Sequence, residues 1–439
     1  MSIECADADA DAGGRAGGVA CSRWWAVVRC AVLSRAVVLA LGAVARAVVD
    51  DYDASARLVL ADGGPAAVRA AAHMVLRWDA FYFVHIANGG YVYEQEHAFF
   101  PLLPVLMRLA ADTVLAPVAA VAGKPAAVAL AGAAVSNVCF VLAAAALYEL
   151  GCRTLGDERL AYIAALLFAW APSSMFMSAA YTESLFAWLV FTALVCAARR
   201  QHVRAALWLC ASGLCRANGV AYAGFLVWDV AVRRGALRGR GAVLRGAARA
   251  AVLTALAALG FGAFQAYGYR LFCEQARTPR PYCARALPLV YSFVQSAYWD
   301  VGLLRYYTWQ QLPNFLLAAP MVVLSAAGLA AYALHDPLRL ATLGRRRSRR
   351  RCDQARPPAF FGDALLPHVY LWALLLAVAT TTMHVQVITR FFSSVPAVFW
   401  FAAHVVAGGG RGARRAVAGY FAGYGLAGVV LFSCFFPPA

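Results

Sequence analysis

Two charged residues in a strongly apolar chain, Asp79 and Arg390, are the leading candidates for chemistry. Asp79 stands in Arg77-Trp78-Asp79-Ala80-Phe81-Tyr82-Phe83, a carboxylate among aromatic rings just after the first long apolar run. Ionisable groups at or inside a membrane are costly and are by default candidates for function. An ionised carboxylate held against a hydroxyl is a general base. A transfer with inversion needs only one such group, because the leaving group occupies the opposite face. Trp78 and Tyr82 add aromatic surface for a sugar or a lipid. The plainer reading makes Trp78 an interfacial anchor and Asp79 a helix N-cap.

Arg390 closes the run Met383-His384-Val385-Gln386-Val387-Ile388-Thr389-Arg390, and Arg216 opens Arg216-Ala217-Asn218-Gly219. A guanidinium is suited to bidentate contact with phosphate. The alternative is a side chain snorkelling to lipid headgroups. Asn218, His384 and Gln386 stand beside these arginines and join them as substrate-binding candidates, as do Arg77 and Trp78. Glu183, in Tyr181-Thr182-Glu183-Ser184, opens an apolar run. It reads either as helix N-terminal chemistry or as a second carboxylate orienting a basic group. In the loop from Cys273 to Asn314, Tyr291, Gln295 and Tyr298 recur at helical spacing, with Trp299 following. That spacing predicts an interfacial helix with a polar aromatic face, fit for a carbohydrate acceptor, although an aromatic belt has the same pattern. Glu94 belongs to a further polar stretch, 94–97, and is a binding candidate. Cys273 and Cys283 bracket a Pro-rich loop, and a disulfide is expected if that loop faces an oxidising compartment.

The elements that must position these residues are membrane spans. The chain has 439 residues, 63% hydrophobic and 14% charged. Soluble domains carry about 25% charged residues. The expected fold is an all-α polytopic membrane protein. Apolar runs fall at roughly 24–49, 126–150, 159–178, 182–198, 203–217, 219–232, 249–271, 315–336, 364–383, 390–407 and 416–435, about eleven spans. Residues 1–22, rich in Ala, Gly and Asp, are expected to form a disordered cytosolic tail, and 23–439 a single membrane domain. Asp7, Asp9 and Asp11 are expected to be a solvated acidic tail and not a metal motif. No apolar segment with a cleavage site precedes the first span, so no removed signal peptide is expected.

The formal charge of +17 comes almost entirely from Arg in short clusters between apolar runs. Segment 98–116 decides the topology. If it lies along the interface, the clusters Arg23/Arg29, Arg199/Arg200/Arg204, Arg233–Arg249, Arg339–Arg356 and Arg411/Arg414/Arg415 all face the cytosol. If it crosses, all of them face away. The positive-inside rule selects the first arrangement, with the N-terminus in and the C-terminus out. The opposite face then collects Asp79, Glu94, Glu183, Arg216, the 272–314 loop and Arg390. No basic domain remains for nucleic acid. No Cys/His cluster suggests zinc, and no Walker A, dinucleotide-binding glycine pattern, HExxH or GxSxG is present.

The motifs, taken together, resemble a known family. Arg77-Trp78-Asp79, Ala98-Phe99-Phe100-Pro101, Arg216-Ala217-Asn218-Gly219, Tyr291 to Gly302, Gln311-Leu312-Pro313-Asn314 on to Pro320, and Met383 to Arg390 look like the GPI mannosyltransferase 2 family, in the same order and over nearly the whole chain beyond residue 24. The resemblance implies a GT-C type glycosyltransferase fold with interfacial lumenal helices. It implies an inverting transfer of mannose from dolichyl-phosphate-mannose to the first mannose of a mannosyl-glucosaminyl-phosphatidylinositol acceptor. The product would be an α-1,6 linkage, the second mannose of GPI assembly, made on the lumenal face of the endoplasmic reticulum membrane. It implies no cofactor and no bound metal, and leaves room for a small membrane subunit. Asp79 would be the base, with Arg390 and Arg216 at the phosphate. The family's Tyr-Glu-His order is here Tyr93-Glu94-Gln95-Glu96-His97, which leaves His97 without an assigned part. Two other readings stay open on the residues alone. A carrier or scramblase could use spans broken near Pro172, Pro320 and Pro396, and a non-catalytic subunit could share the fold.

Overall fold

The computed structural model describes residues 13–60, 63–232, 239–275, 278, 280–345 and 359–437. Residues 233–238 and 346–356 of the two longest Arg clusters therefore lie outside the described residues, as does most of the expected tail. The first helix begins at Gly13, inside the stretch read as disordered, and runs to Val48. Among the described residues every regular element is a helix.

The Lys124–Leu155 helix shows how sequence sets these elements. Pro125 sits in its first turn, where a missing N–H costs nothing, and Gly156 ends it at φ +64°. Small residues let its neighbours close in. A Cβ on Gly132 would come within 2.6 Å of Ala180 Cβ, and one on Gly151 within 2.8 Å of Ala161 Cβ. The Glu183–Ala198 helix is apolar on every side and packs between the helices around it, as such a helix must.

Among the described residues six helices are long and apolar enough to cross a membrane, and eight if each of two bent pairs counts as one span. Of the roughly eleven apolar runs expected, only these meet that length, and the others are shorter or broken. Hydropathy sees an apolar run but not where the backbone breaks. Residues 159–178 divide into a helix Glu158–Ala169 and a separate turn Ser174–Met177, because Pro172 cannot continue the first. Residues 217–232 are successive 3₁₀, α and π turns. Segment 98–116 enters a bent pair, Leu102–Asp112 and Ala116–Ala122, with an angle of 80° between them. The other bent pair, Val385–Ser394 and Pro396–Gly408, turns by 88° and carries Arg390.

Contacts at the helix termini sort into two ends. At one end Arg23 meets Glu158 at 3.3 Å, Glu149 meets Arg153 at 2.8 Å, His202 meets Asp229 at 2.6 Å and Arg339 meets Asp363 at 2.9 Å. The other end gathers Asp51, Arg77, Asp79, Glu183, Arg216, Arg390 and the carbonyl of Ser433. Successive segments alternate between them.

Candidate active site

Asp79 precedes the Ala80–Gly89 helix at its N-cap position, yet its side chain makes no capping bond. The carboxylate turns to Arg390, whose Nη2 donates to Oδ2 at 2.8 Å. The same guanidinium donates from Nε to Glu183 Oε1 at 2.9 Å. Arg216 Nη1 reaches that oxygen at 3.2 Å and Thr182 Oγ1 at 3.5 Å. The result is a chain of two acids and two cations, Asp79–Arg390–Glu183–Arg216, neutral in sum. Glu183 is wholly buried, while the Asp79 side chain is 31% exposed. One carboxylate is therefore open to a substrate, and the other is committed to holding the cations.

Aromatic rings fix the arrangement. The Arg390 guanidinium lies over Phe176, 4.4 Å from its centroid, and over Tyr181 at 4.9 Å. Tyr181 Oη donates to the Arg77 carbonyl at 2.9 Å and accepts from the Asp79 N–H at 3.1 Å. It thus spans Trp78, which sits at φ +50°. A left-handed backbone at such a residue costs on the order of 1–3 kcal/mol. The Tyr181 bracket and the Phe435 ring beside Trp78, 5.1 Å away, hold it there.

Beyond Asp79, Tyr82 stacks on Phe99 at 4.3 Å, and Trp299 stands edge-on to both. Burial, then the Asp79 charge, raises the Tyr82 phenol above its usual range. The Val290–Tyr298 helix exists as its spacing predicts, but it buries Val290 and Val294. Tyr291 turns toward Phe100 and its N–H is taken by Gln265, while the N–H of Val301 caps the Gln295 carbonyl. Tyr298 Oη donates to Glu94 Oε2 at 2.8 Å, Tyr282 Oη donates to its Oε1 at 2.9 Å, and Arg280 adds an ion pair at 3.1 Å. Cys273 and Cys283 form a disulfide that closes this loop.

The predicted residues therefore separate. Asp79, Arg216 and Arg390 come together, and Trp78 and Trp299 flank them. Glu94 is buried and organises the outer loop with Tyr298. Arg77 is fully buried, donating to Asp51 at 2.8 Å and to the Ser433 carbonyl at 3.0 Å, so it offers no face to a substrate and instead ties the last helix beneath the site. His384 stacks on Tyr306 at 4.6 Å and stands apart from the ion-pair chain. Asn218 Nδ2, Gln386 Oε1 and Trp299 Nε1 are buried with no hydrogen bond among the described residues, donors and acceptors left for something else to meet. His97 is a core ring, stacked on Phe264 at 4.9 Å with neither nitrogen bonded among the described residues, and burial pushes its pKa down to about 4. Sequence reasoning passed over Tyr181 and Phe176. Glu183 was noticed, but its helix-start position hid its bridging role.

A helical protein of many spans, with a partly open carboxylate clamped to a paired cation at one end, has the equipment of a membrane-embedded group transferase. Residues 25–439 match the model of the family described as mannosyltransferase (PIG-V). The chain belongs to that family and is a glycosyltransferase, which sets aside the carrier and scaffold readings. It is 34% identical over 416 residues to the GPI alpha-1,6-mannosyltransferase 2 of Rattus norvegicus, covering 87% of this chain and 84% of that one. It is 33% identical over 422 residues to that of Homo sapiens, covering 87% and 83%. The GPI mannosyltransferase 2 of Chaetomium globosum is 34% identical over 445 residues, covering 89% and 91%. Among solved structures, an Archaeoglobus fulgidus oligosaccharyltransferase tethered to an acceptor peptide aligns with 92% of this chain and 55% of its own, at 15% identity and a TM-score of 0.44. A likeness that loose adds nothing to the assignment.

Proposed function

We propose that this chain transfers mannose from dolichyl-phosphate-mannose to the first mannose of a GPI precursor, forming the α-1,6 linkage that its relatives are named for. Asp79 takes the proton of the acceptor 6-hydroxyl as that oxygen bonds to the anomeric carbon. The carbon–oxygen bond to the donor phosphate breaks on the opposite face, and dolichyl phosphate leaves with the electron pair. Arg390 and Arg216 meet the charge that gathers on the phosphate. Glu183 keeps both guanidiniums in place when the substrate draws on them.

The observation that carries this reading is the 2.8 Å contact between Arg390 Nη2 and Asp79 Oδ2. Residues 311 positions apart share one site, so a base and a phosphate ligand lie within one substrate's reach. The GT-C arrangement, eleven passes and a lumenal site in the endoplasmic reticulum belong to the same proposal. What supports them is the alternation of helix ends, the arginines at the far end, and a disulfide on the site side. The test is complementation in cells that lack the second mannose step, with GPI intermediates profiled. The wild-type chain should convert the single-mannose intermediate and Asp79→Asn should let it accumulate. Normal profiles with Asp79→Asn at wild-type abundance would remove the base assignment.

A further inference from the structure

Arg35 lies midway along the first span and is 4% exposed. It is the kind of residue a span excludes unless something requires it. Among the described residues it pairs with no carboxylate. Its donors go to the chain instead. Nη2 reaches the Ala169 carbonyl at 3.3 Å, Nη1 reaches the Ser174 carbonyl at 2.8 Å and Ser178 Oγ at 2.9 Å, and Nε reaches Ser34 Oγ at 3.3 Å. The guanidinium lies 3.8 Å from the centroid of Phe140. So spent, it has little left to offer a ligand.

These partners are the two edges of one break. The Glu158–Ala169 helix stops short of the site end, and its last carbonyls would be orphaned in an apolar interior. Trp170 and Ala171 N–H groups take those of Leu166, Leu167 and Phe168, and Arg35 takes that of Ala169, a cation at the negative pole of the helix. It then grips the returning segment at Ser174 and Ser178. That segment is held again where Asn137 Nδ2 donates to the Ser178 carbonyl at 2.9 Å and Ser136 Oγ to the Tyr181 carbonyl at 3.0 Å. Within and just after it stand Phe176, Tyr181 and Glu183, the three groups that seat Arg390.

We infer that Arg35 is a positioning residue for the transfer, fixing the break at 170–182 so that Phe176, Tyr181 and Glu183 hold Arg390 against Asp79. The inference rests on the catalytic reading of that pair. Arg35 touches neither substrate, so its effect should fall on turnover and not on affinity. A small misplacement caused far from the reacting atoms can lower a rate by about 100-fold.

The experiment uses full-length protein in microsomes from cells lacking the second mannose step, with dolichyl-phosphate-mannose varied against the natural acceptor lipid. Arg35→Lys, which keeps the charge but not the fork, should accumulate, hold KM within about threefold, and lose on the order of 10- to 100-fold in kcat per folded molecule. Arg35→Gln should lose more, and Ser178→Ala, which removes one acceptor, should lose less in the same direction. A residue that only stabilises the fold would lower the amount of enzyme and leave kcat per folded molecule unchanged. Wild-type kcat per folded molecule in both Arg35→Lys and Ser178→Ala would overturn the inference. If Arg35→Lys does not accumulate, Ser178→Ala decides alone. Asp79→Asn is run alongside. Normal transfer by that variant would mean that the catalytic reading has failed and the inference with it, whereas an inactive Asp79→Asn beside unaffected Ser178→Ala and Arg35→Lys would leave the catalytic reading standing and remove Arg35 alone.

Discussion

At one end of the helices Glu149 meets Arg153 and Arg199 with about a third of each side chain in solvent. At the other, Glu183 meets Arg216 and Arg390 with none of its own side chain exposed. The residue types and the bond lengths are alike. The surroundings are not. An exposed pair exchanges water for a partner with little net gain, about 0–1 kcal/mol. A buried carboxylate gives up water entirely, and losing its partners then costs on the order of 3–5 kcal/mol. The difference teaches where to look. Arginines paired at the far end stay open to solvent, while those beside Glu183 are held against a carboxylate that has no water to fall back on.

Substitutions can break this contrast. The largest loss of transfer is expected from Asp79→Asn, which keeps shape and hydrogen bonding but removes the base. Turnover in a microsomal assay should fall by about 10²–10⁴-fold with no change in protein abundance. Glu183→Gln comes next and should differ in kind. It leaves two guanidiniums without their shared anion, so transfer should fall and the thermal midpoint in detergent should drop with a stability loss of about 3–5 kcal/mol. A stable, inactive Glu183→Gln would instead give Glu183 a direct part in the chemistry. Glu149→Gln sharpens the other side of the comparison. It should shift stability by no more than about 1 kcal/mol and leave turnover alone.

His97 supplies the smallest effect and a pH signature. Burial lowers its pKa from 6.5 to about 4, so the unfolded chain binds the extra proton first. The stability it contributes is full above pH 6.5 and is lost as pH falls toward 4. His97→Phe should keep transfer at neutral pH and flatten the acid side of a thermal-midpoint profile. A fall in neutral-pH turnover would move His97 into the site.

Much of the site was legible because charge is scarce. Asp79, Arg216 and Arg390 stand out in a chain with 14% charged residues, and the cluster parity placed them on one face. Arg77 drew notice for the same reason. A charge beside a catalytic-looking acid attracts notice, but sequence spacing cannot tell that its side chain runs the other way, to Asp51 and Ser433. Glu183 was ambiguous because an acid in a first helical turn and an acid bridging two cations have one local pattern. Tyr181 gave no signal at all, since its phenol acts across 102 positions on the N–H of Asp79. The breaks inside the spans gave no signal because an apolar run such as 159–178 keeps its hydropathy through a turn, which tertiary partners such as Arg35 hold in place.

The order in which the ion-pair chain is synthesised has its own consequence. Glu183 and Arg216 are near neighbours in sequence, whereas Arg390 follows Glu183 by 207 positions. During synthesis Arg216 is therefore available to Glu183 long before Arg390 exists. Arg390, the last of the four to be made, can close the chain only when nearly all of the protein has been synthesised.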